Sequence, residues 1–211
     1  MSLTLEKAGT LLRGGQPLIF PTDTVWGLGV AVAHCDDPGV IYDIKGRDRR
    51  KPISWLIGSH DELSKYGRDL QGYVFDLARD RWPGAMTLVV EASDRVPWAY
   101  RSADGSIGLR MPNSQTALSL ADIAGSPIAA TSANIAGKPS RPSRSSFDAV
   151  NAGLGGIPVF EGFDGDHIFE GPKQLSISDL NSHRCMQSEA STVIDCRGEK
   201  PRVLREGPIV I

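Results

Sequence analysis

Segments with strand character and segments with helical spacing follow one another along this chain without strict alternation, and few architectures accommodate that mixture. Strands are expected over 17–20, 25–32, 53–57, 86–90, 106–111, 127–131, 157–160, 192–196 and 202–204. Helices are expected over 3–13, 36–45, 59–66, 71–79, 114–124 and 145–154. Strict strand–helix alternation would predict an all-parallel sheet. The irregular order predicts an α/β fold, a twisted mixed sheet flanked by helices. Local signals punctuate it. Gly14-Gly15 stops the first helix, and Asp36-Asp37-Pro38 opens the second with an acid cap and a first-turn proline. Ser59 with Glu62, and Ser145 with Asp148, read as capping boxes. Gly27 and Gly29 permit close backbone approach. Over about 161–190 the periodicity dissolves, and a long loop is expected as an insertion in a single domain of 1–211.

Charge is distributed unevenly. Between Lys45 and Lys51 five cationic side chains fall in seven residues, with Asp48 the only acid, in a chain of net charge −2. That cluster is either a solvated loop or a seat for an anion. A helix ending near Lys45-Gly46 accounts for part of it, since cations are favoured at a helix C-terminus. The overall balance argues against a general nucleic-acid coat protein. Cys35, Cys185 and Cys196 are scattered and form no CxxC, which fits reduced thiols rather than a zinc or redox pair. The first residues lack a signal-peptide layout, and no apolar run approaches the roughly 18 residues of a membrane span. The expected location is the cytoplasm, with no membrane partner.

Familiar catalytic signatures are missing from the sequence: no GxxxxGK[ST], no HExxH, no GxSxG, and no third glycine after Gly27-Leu28-Gly29. What recurs instead is hydroxyls and fixed cations beside strand ends. Thr22 and Thr24 precede one strand, Arg110 ends another, and Thr131-Ser132-Ala133-Asn134 ends a third. Ser191 begins a strand and Arg205 ends the next. Arginine grips phosphate or carboxylate with a planar fork, and hydroxyls complete such a cradle. Open sheets form their ligand crevices at strand ends.

These residues carry a resemblance. Pro21-Thr22-Asp23-Thr24-Val25-Trp26-Gly27-Leu28-Gly29, Lys45-Gly46-Arg47 with Lys51-Pro52, and Trp82-Pro83-Gly84-Ala85-Met86-Thr87 resemble the YrdC-type threonylcarbamoyl-AMP synthases. Gly108-Leu109-Arg110-Met111-Pro112, the run from Thr131 to Ser140, and Ser191-Thr192-Val193-Ile194-Asp195 match in order. The resemblance implies a YrdC/RibB-like sheet with an open, positively charged cavity. It implies condensation of L-threonine, bicarbonate and ATP to threonylcarbamoyl-AMP with release of pyrophosphate, so a nucleotidyltransferase. Partner proteins of tRNA modification would use the product, and weak binding of tRNA or double-stranded RNA is a further expectation. Lys45 and Arg47 are the implied catalytic pair. Arg47, Lys51, Ser106, Ser132, Asn134, Ser140 and Arg205 would hold ATP. Thr24, Arg110 and Ser191 would hold threonine, with Arg110 on its carboxylate. Mg²⁺ would bridge the phosphates with few protein ligands, Asp23 being a weak candidate and no metal site being assigned.

The sequence departs from the family pattern at Lys51, where many relatives carry asparagine, and at Leu56, where many carry histidine. The second change removes a threonine contact. The stretch 161–190 is longer than the family's usual connection, and the chain stops soon after Arg205, as in single-domain members. The alternatives are a non-catalytic paralogue that binds RNA through the same concavity, and a carbamoyl-transfer module of hydrogenase maturation. The latter carries zinc-binding cysteine pairs that this sequence lacks.

Overall fold

The computed structural model describes residues 3–140, 147–149, 153–163 and 189–211. A nine-stranded sheet organises them. Its strands are β1 (Leu18–Phe20), β2 (Gly27–Ala31), β3 (Ser54–Leu56), β4 (Gly67–Arg68), β5 (Met86–Ala92), β6 (Ser106–Arg110), β7 (Ile128–Ser132), β8 (Thr192–Asp195) and β9 (Arg202–Arg205). The spatial order is β1-β2-β7-β3-β6-β5-β8-β9, with β4 paired to β5. Pairs β3/β6 and β5/β8 are parallel, and the other strand pairs are antiparallel. The mixed sheet expected from the irregular element order is therefore present.

Five α-helices accompany the sheet among the described residues: α1 (Leu5–Arg13), α2 (Gly39–Lys45), α3 (Asp61–Tyr66), α4 (Gly72–Arg81) and α5 (Gln115–Ala124). Their ends follow local chemistry. Thr4 caps α1 by accepting from Lys7 N, and Ser114 caps α5 by accepting from Ala117 N. Gly46 and Gly125 take the left-handed conformation that ends α2 and α5. Two caps differ from expectation. Pro38 is the N-cap of α2, and Asp37 accepts from Gly39 N at 2.8 Å. Glu62 reaches back to Gly58 N at 2.7 Å rather than to Ser59. Of the expected helix at 145–154, residues 147–149 and 153–154 are described and are not helical; its other residues and most of the stretch 161–190 lie outside the described residues.

Strand alternation sorts the apolar residues onto two faces. Trp55, Leu88, Leu28 and Ile194 join one core with Ile41 of α2 and Val74 of α4. Leu18, Phe20, Leu56 and Ile128 join the other with Leu12 of α1 and Leu120 of α5. Helices α1 and α5 meet closely, because a Cβ on Gly9 would lie 2.9 Å from Ile123. The strands contributing to this second core are β1, β2, β3 and β7. On the same face, β5 and β6 carry Thr87, Gly108 and Arg110 instead, and a cavity opens there.

The expected strand over 157–160 is reduced to a single bridge, Val159 beside Ile19. Pro158 has no N–H to donate, so the pairing is limited to Ile19 N on Pro158 O and Phe160 N on Ile19 O. Gly29 bears out the close backbone approach read from the sequence. A Cβ there would lie 2.8 Å from Ala129 O and 2.7 Å from Ile128 Cγ2. Gly29→Ala should therefore destabilise the fold by about 1–3 kcal/mol, read as a lower denaturant midpoint with unchanged m-value. An unchanged midpoint would show that the β2/β7 pair relaxes around the methyl.

Candidate active site

The cavity encloses about 150 Å³, and Arg47, Arg110 and Arg205 are among its lining residues with no acid. The sheet explains the convergence. Thr24 leads into β2, Arg110 ends β6, Ser132 ends β7, Ser191 precedes β8, and Arg205 ends β9. Because β8 runs parallel to β5, the start of β8 is drawn to the start of β5, and Thr192 N donates to Ala85 O at 2.9 Å. Residues more than a hundred positions apart thereby share one wall.

Arg110 is held from three directions. Its Nε donates to Gly84 O at 3.0 Å and one terminal nitrogen donates to Thr24 Oγ1 at 3.1 Å. The other terminal nitrogen forms a buried ion pair with Asp23. Five N–H groups serve three such bonds, so the guanidinium keeps donors for a ligand. Thr24 is itself fixed by Thr22, whose hydroxyl donates to Val25 O at 2.8 Å.

Ser191 is buried. Its hydroxyl lies 2.8 Å from Thr87 Oγ1, and Arg205 donates to Ser191 O at 2.6 Å and to its Oγ at 3.2 Å. The Arg205 pKa is lowered by desolvation first, then by the charges of Arg110 and Arg47. Three guanidinium groups near enough to oppose one another's charge favour an anion between them. Arg47 donates to Thr131 Oγ1 at 3.3 Å and to Pro52 O at 3.1 Å, while its buried Nε has no partner. Burial lowers its pKa as well. An unpaired, desolvated guanidinium N–H costs free energy.

The site residues read from the sequence divide into two sets. Thr24, Arg47, Arg110, Ser132, Ser191 and Arg205 line the cavity. Lys45, Lys51, Ser106, Asn134 and Ser140 are not among the lining residues. Lys45 is buried, and its ammonium donates to Ser132 O, Asn134 O and Asn134 Oδ1. The turn after β7 holds its ammonium. Asn134 is spent in the same turn, donating to Lys138 O at 2.6 Å. Lys51 is exposed. Ser106 opens β6, about 13 Å along the strand from Arg110, and its hydroxyl donates to Asp104 at 2.6 Å. Ser140 is half-buried. Arg49 and Arg50 pair with Asp43 at 3.0 Å and Asp48 at 2.7 Å, both exposed, so much of the basic cluster neutralises itself.

Two polar lining residues, Ser54 and Thr87, carried no role in the sequence reading although a signal existed for both. Ser54 and Thr87 are polar positions flanked by apolar ones in β3 and β5, and both point to the face opposite Trp55 and Leu88. Gly108 separates them, since a Cβ there would meet Ser54 Oγ at 2.9 Å and Thr87 Cγ2 at 3.2 Å.

A mixed sheet flanked by helices, with arginines and hydroxyls gathered at its strand ends, makes this an α/β protein. The sequence profile of the Sua5/YciO/YrdC domain, described as telomere recombination, matches residues 10–157, and the chain belongs to that family. A Mycobacterium leprae relative, provisionally named a threonylcarbamoyl-AMP synthase, is 30% identical over 98% of this chain and 84% of its own length. The Bacillus subtilis threonylcarbamoyl-AMP synthase is 31% identical over 97% of this chain and 54% of its own length. Pyrococcus abyssi Sua5 in complex with L-threonine superposes with a TM-score of 0.74 at 29% identity, covering 95% of this chain and 53% of that one. The chain thus spans about half the length of these last two relatives. Escherichia coli YciO, 22% identical, shares the fold with a TM-score of 0.74 over 96% of this chain and 88% of its own.

Proposed function

We propose that the protein is an L-threonylcarbamoyladenylate synthase, a nucleotidyltransferase that joins L-threonine, bicarbonate and ATP and releases pyrophosphate. The observation that carries this reading is the single cavity holding three arginines, one with a buried unpaired N–H, among hydroxyls at strand ends. Relatives over nearly the whole chain bear the synthase name, and a Pyrococcus abyssi relative has been solved with L-threonine.

Each group then has a task. Arg110, oriented by Asp23, Thr24 and Gly84, takes the threonine carboxylate. Thr24 and Ser191 offer hydroxyls beside it. Arg47 meets the phosphates with its guanidinium in the cavity wall, and Ser132 and Arg205 complete that side. The cavity is open to solvent, so an amino acid can seat against its wall while the nucleotide's base and ribose lie toward the mouth. The chain contributes positioning and charge stabilisation, and no side-chain nucleophile is required. Three arginines and no carboxylate in the lining do not fit a protein-held Mg²⁺, and Asp23 is engaged by Arg110. Among the described residues no three or more His, Cys, Asp or Glu gather as ligands. Any Mg²⁺ would arrive on the phosphates. No helix among the described residues is long and apolar enough to cross a membrane, and action in the cytoplasm beside the proteins that consume the adenylate fits this role.

The test is pyrophosphate release by purified protein. Release that requires ATP, L-threonine and bicarbonate together is the expected result. Release indifferent to threonine would sink the proposal.

A further inference from the structure

We propose that Lys45 is a positioning residue that fixes the turn after β7, and with it the Ser132 hydroxyl, without itself touching substrate. The inference rests on the nucleotide reading of the cavity given above. An ammonium has three N–H donors. Those of Lys45 meet three oxygens, Ser132 O, Asn134 O and Asn134 Oδ1. No donor is left for a phosphate.

The turn is built around this group. Ala136 N donates to Lys45 O at 3.0 Å, and Asn134 Nδ2 donates to Lys138 O at 2.6 Å and Ile135 O at 3.2 Å. Ala133 N donates to Trp26 O at 2.7 Å, tying the turn to the approach of β2. The end of α2 separates two cations only two residues apart. Lys45 lies in the last helical turn and is buried, Gly46 reverses the chain with a φ of 58°, and Arg47 enters the cavity wall. One motif therefore performs two jobs. Arg47 faces the ligand, and Lys45 holds the strand end from behind.

Burial carries the Lys45 pKa down to about 8, with Arg47 as the second cause and the charged neighbour acting on it. Linkage gives the sign of the effect on stability. The folded chain loses this proton near pH 8, and the unfolded chain keeps it up to the ordinary lysine value. Between those values the unfolded state binds more protons, so this group's contribution makes the fold more stable as pH rises. The clamp moves the other way, because a neutral amine has only two N–H groups for three acceptors.

The experiment is calorimetric titration of ATP into the full chain and three variants at pH 7: Lys45→Met, Ser132→Ala and the double variant. Lys45→Met and Ser132→Ala should each weaken ATP binding by roughly tenfold, the value of one good hydrogen bond, and the double variant should lose nothing more. Additive losses would show that Lys45 touches the nucleotide and would overturn the proposal. So would unchanged affinity in folded Lys45→Met. Where Lys45→Met does not fold, nitrogen NMR of the Lys45 ammonium in the unaltered chain decides: a slowly exchanging, hydrogen-bonded ammonium upholds the clamp, and a freely exchanging one overturns it. If the unaltered chain binds no ATP at all, the nucleotide reading fails instead, and the same NMR measurement judges the clamp.

Discussion

Arg47→Ala should lower threonine-dependent pyrophosphate release by roughly 10²–10³-fold, while Arg50→Ala should leave it within about twofold. The two arginines sit three residues apart in one basic run, so the contrast separates local geometry from bulk charge. Arg50 is exposed and already paired with Asp48 at 2.7 Å. Its removal frees one surface carboxylate and alters little else. Arg47 is held by Thr131 and Pro52 with its Nε turned to no protein acceptor. Alanine there removes a fixed donor and leaves Arg205 and Arg110 without the third charge. Arg47→Lys should recover little, since an ammonium offers its donors from one atom and lacks the planar fork that spans Thr131, Pro52 and a ligand. Steady-state pyrophosphate assays of the three variants, with circular dichroism as a folding control, provide the measurement. Equal losses in Arg47→Ala and Arg50→Ala would show that only net charge matters.

The part of this fold that was legible in the sequence is the part governed by short-range chemistry. The helix expected over 114–124 is present as α5, capped by Ser114 through a contact between residues three apart. The five-residue strand β6 and its terminal Arg110 were likewise visible in the apolar pattern. Where long-range partners decide, sequence reading failed. Strand β4 has two residues, too few to show a period, and exists because Gly67 and Arg68 pair with Ala92 and Glu91. The strand expected at 157–160 shrank because its partner β1 met a proline.

The site shows the same division. Lys45 and Arg47 look alike in a charged run, and acceptors from a turn nearly ninety residues later separate them. The neutralising pairs of Arg49 with Asp43 and Arg50 with Asp48 were within reach of a sequence reading, since both are local. Thr87 was not, because its role comes from the parallel seating of β8 that brings Ser191 alongside.

Arg110→Ala should abolish the response to L-threonine and also destabilise the fold, and a second substitution separates the two effects. Arg110 and Asp23 are both largely buried, with side chains 7% and 11% exposed. Removing the cation leaves a desolvated carboxylate without a partner, a change that costs about 3–5 kcal/mol. Asp23→Asn in the Arg110→Ala background removes that uncompensated charge and should restore much of the stability, read as recovery of the denaturant midpoint. It should restore no threonine binding, because the fork that meets the substrate carboxylate is still absent. Recovery of binding along with stability would mean that Arg110 serves only to neutralise Asp23 and that the carboxylate is held elsewhere. Failure of the double variant to recover stability would shift the weight to the bonds from Arg110 to Gly84 O and Thr24 Oγ1. Those bonds join the end of β6 to the loops before β2 and β5, so Arg110 would then be the tie that shapes the cavity as well as its ligand.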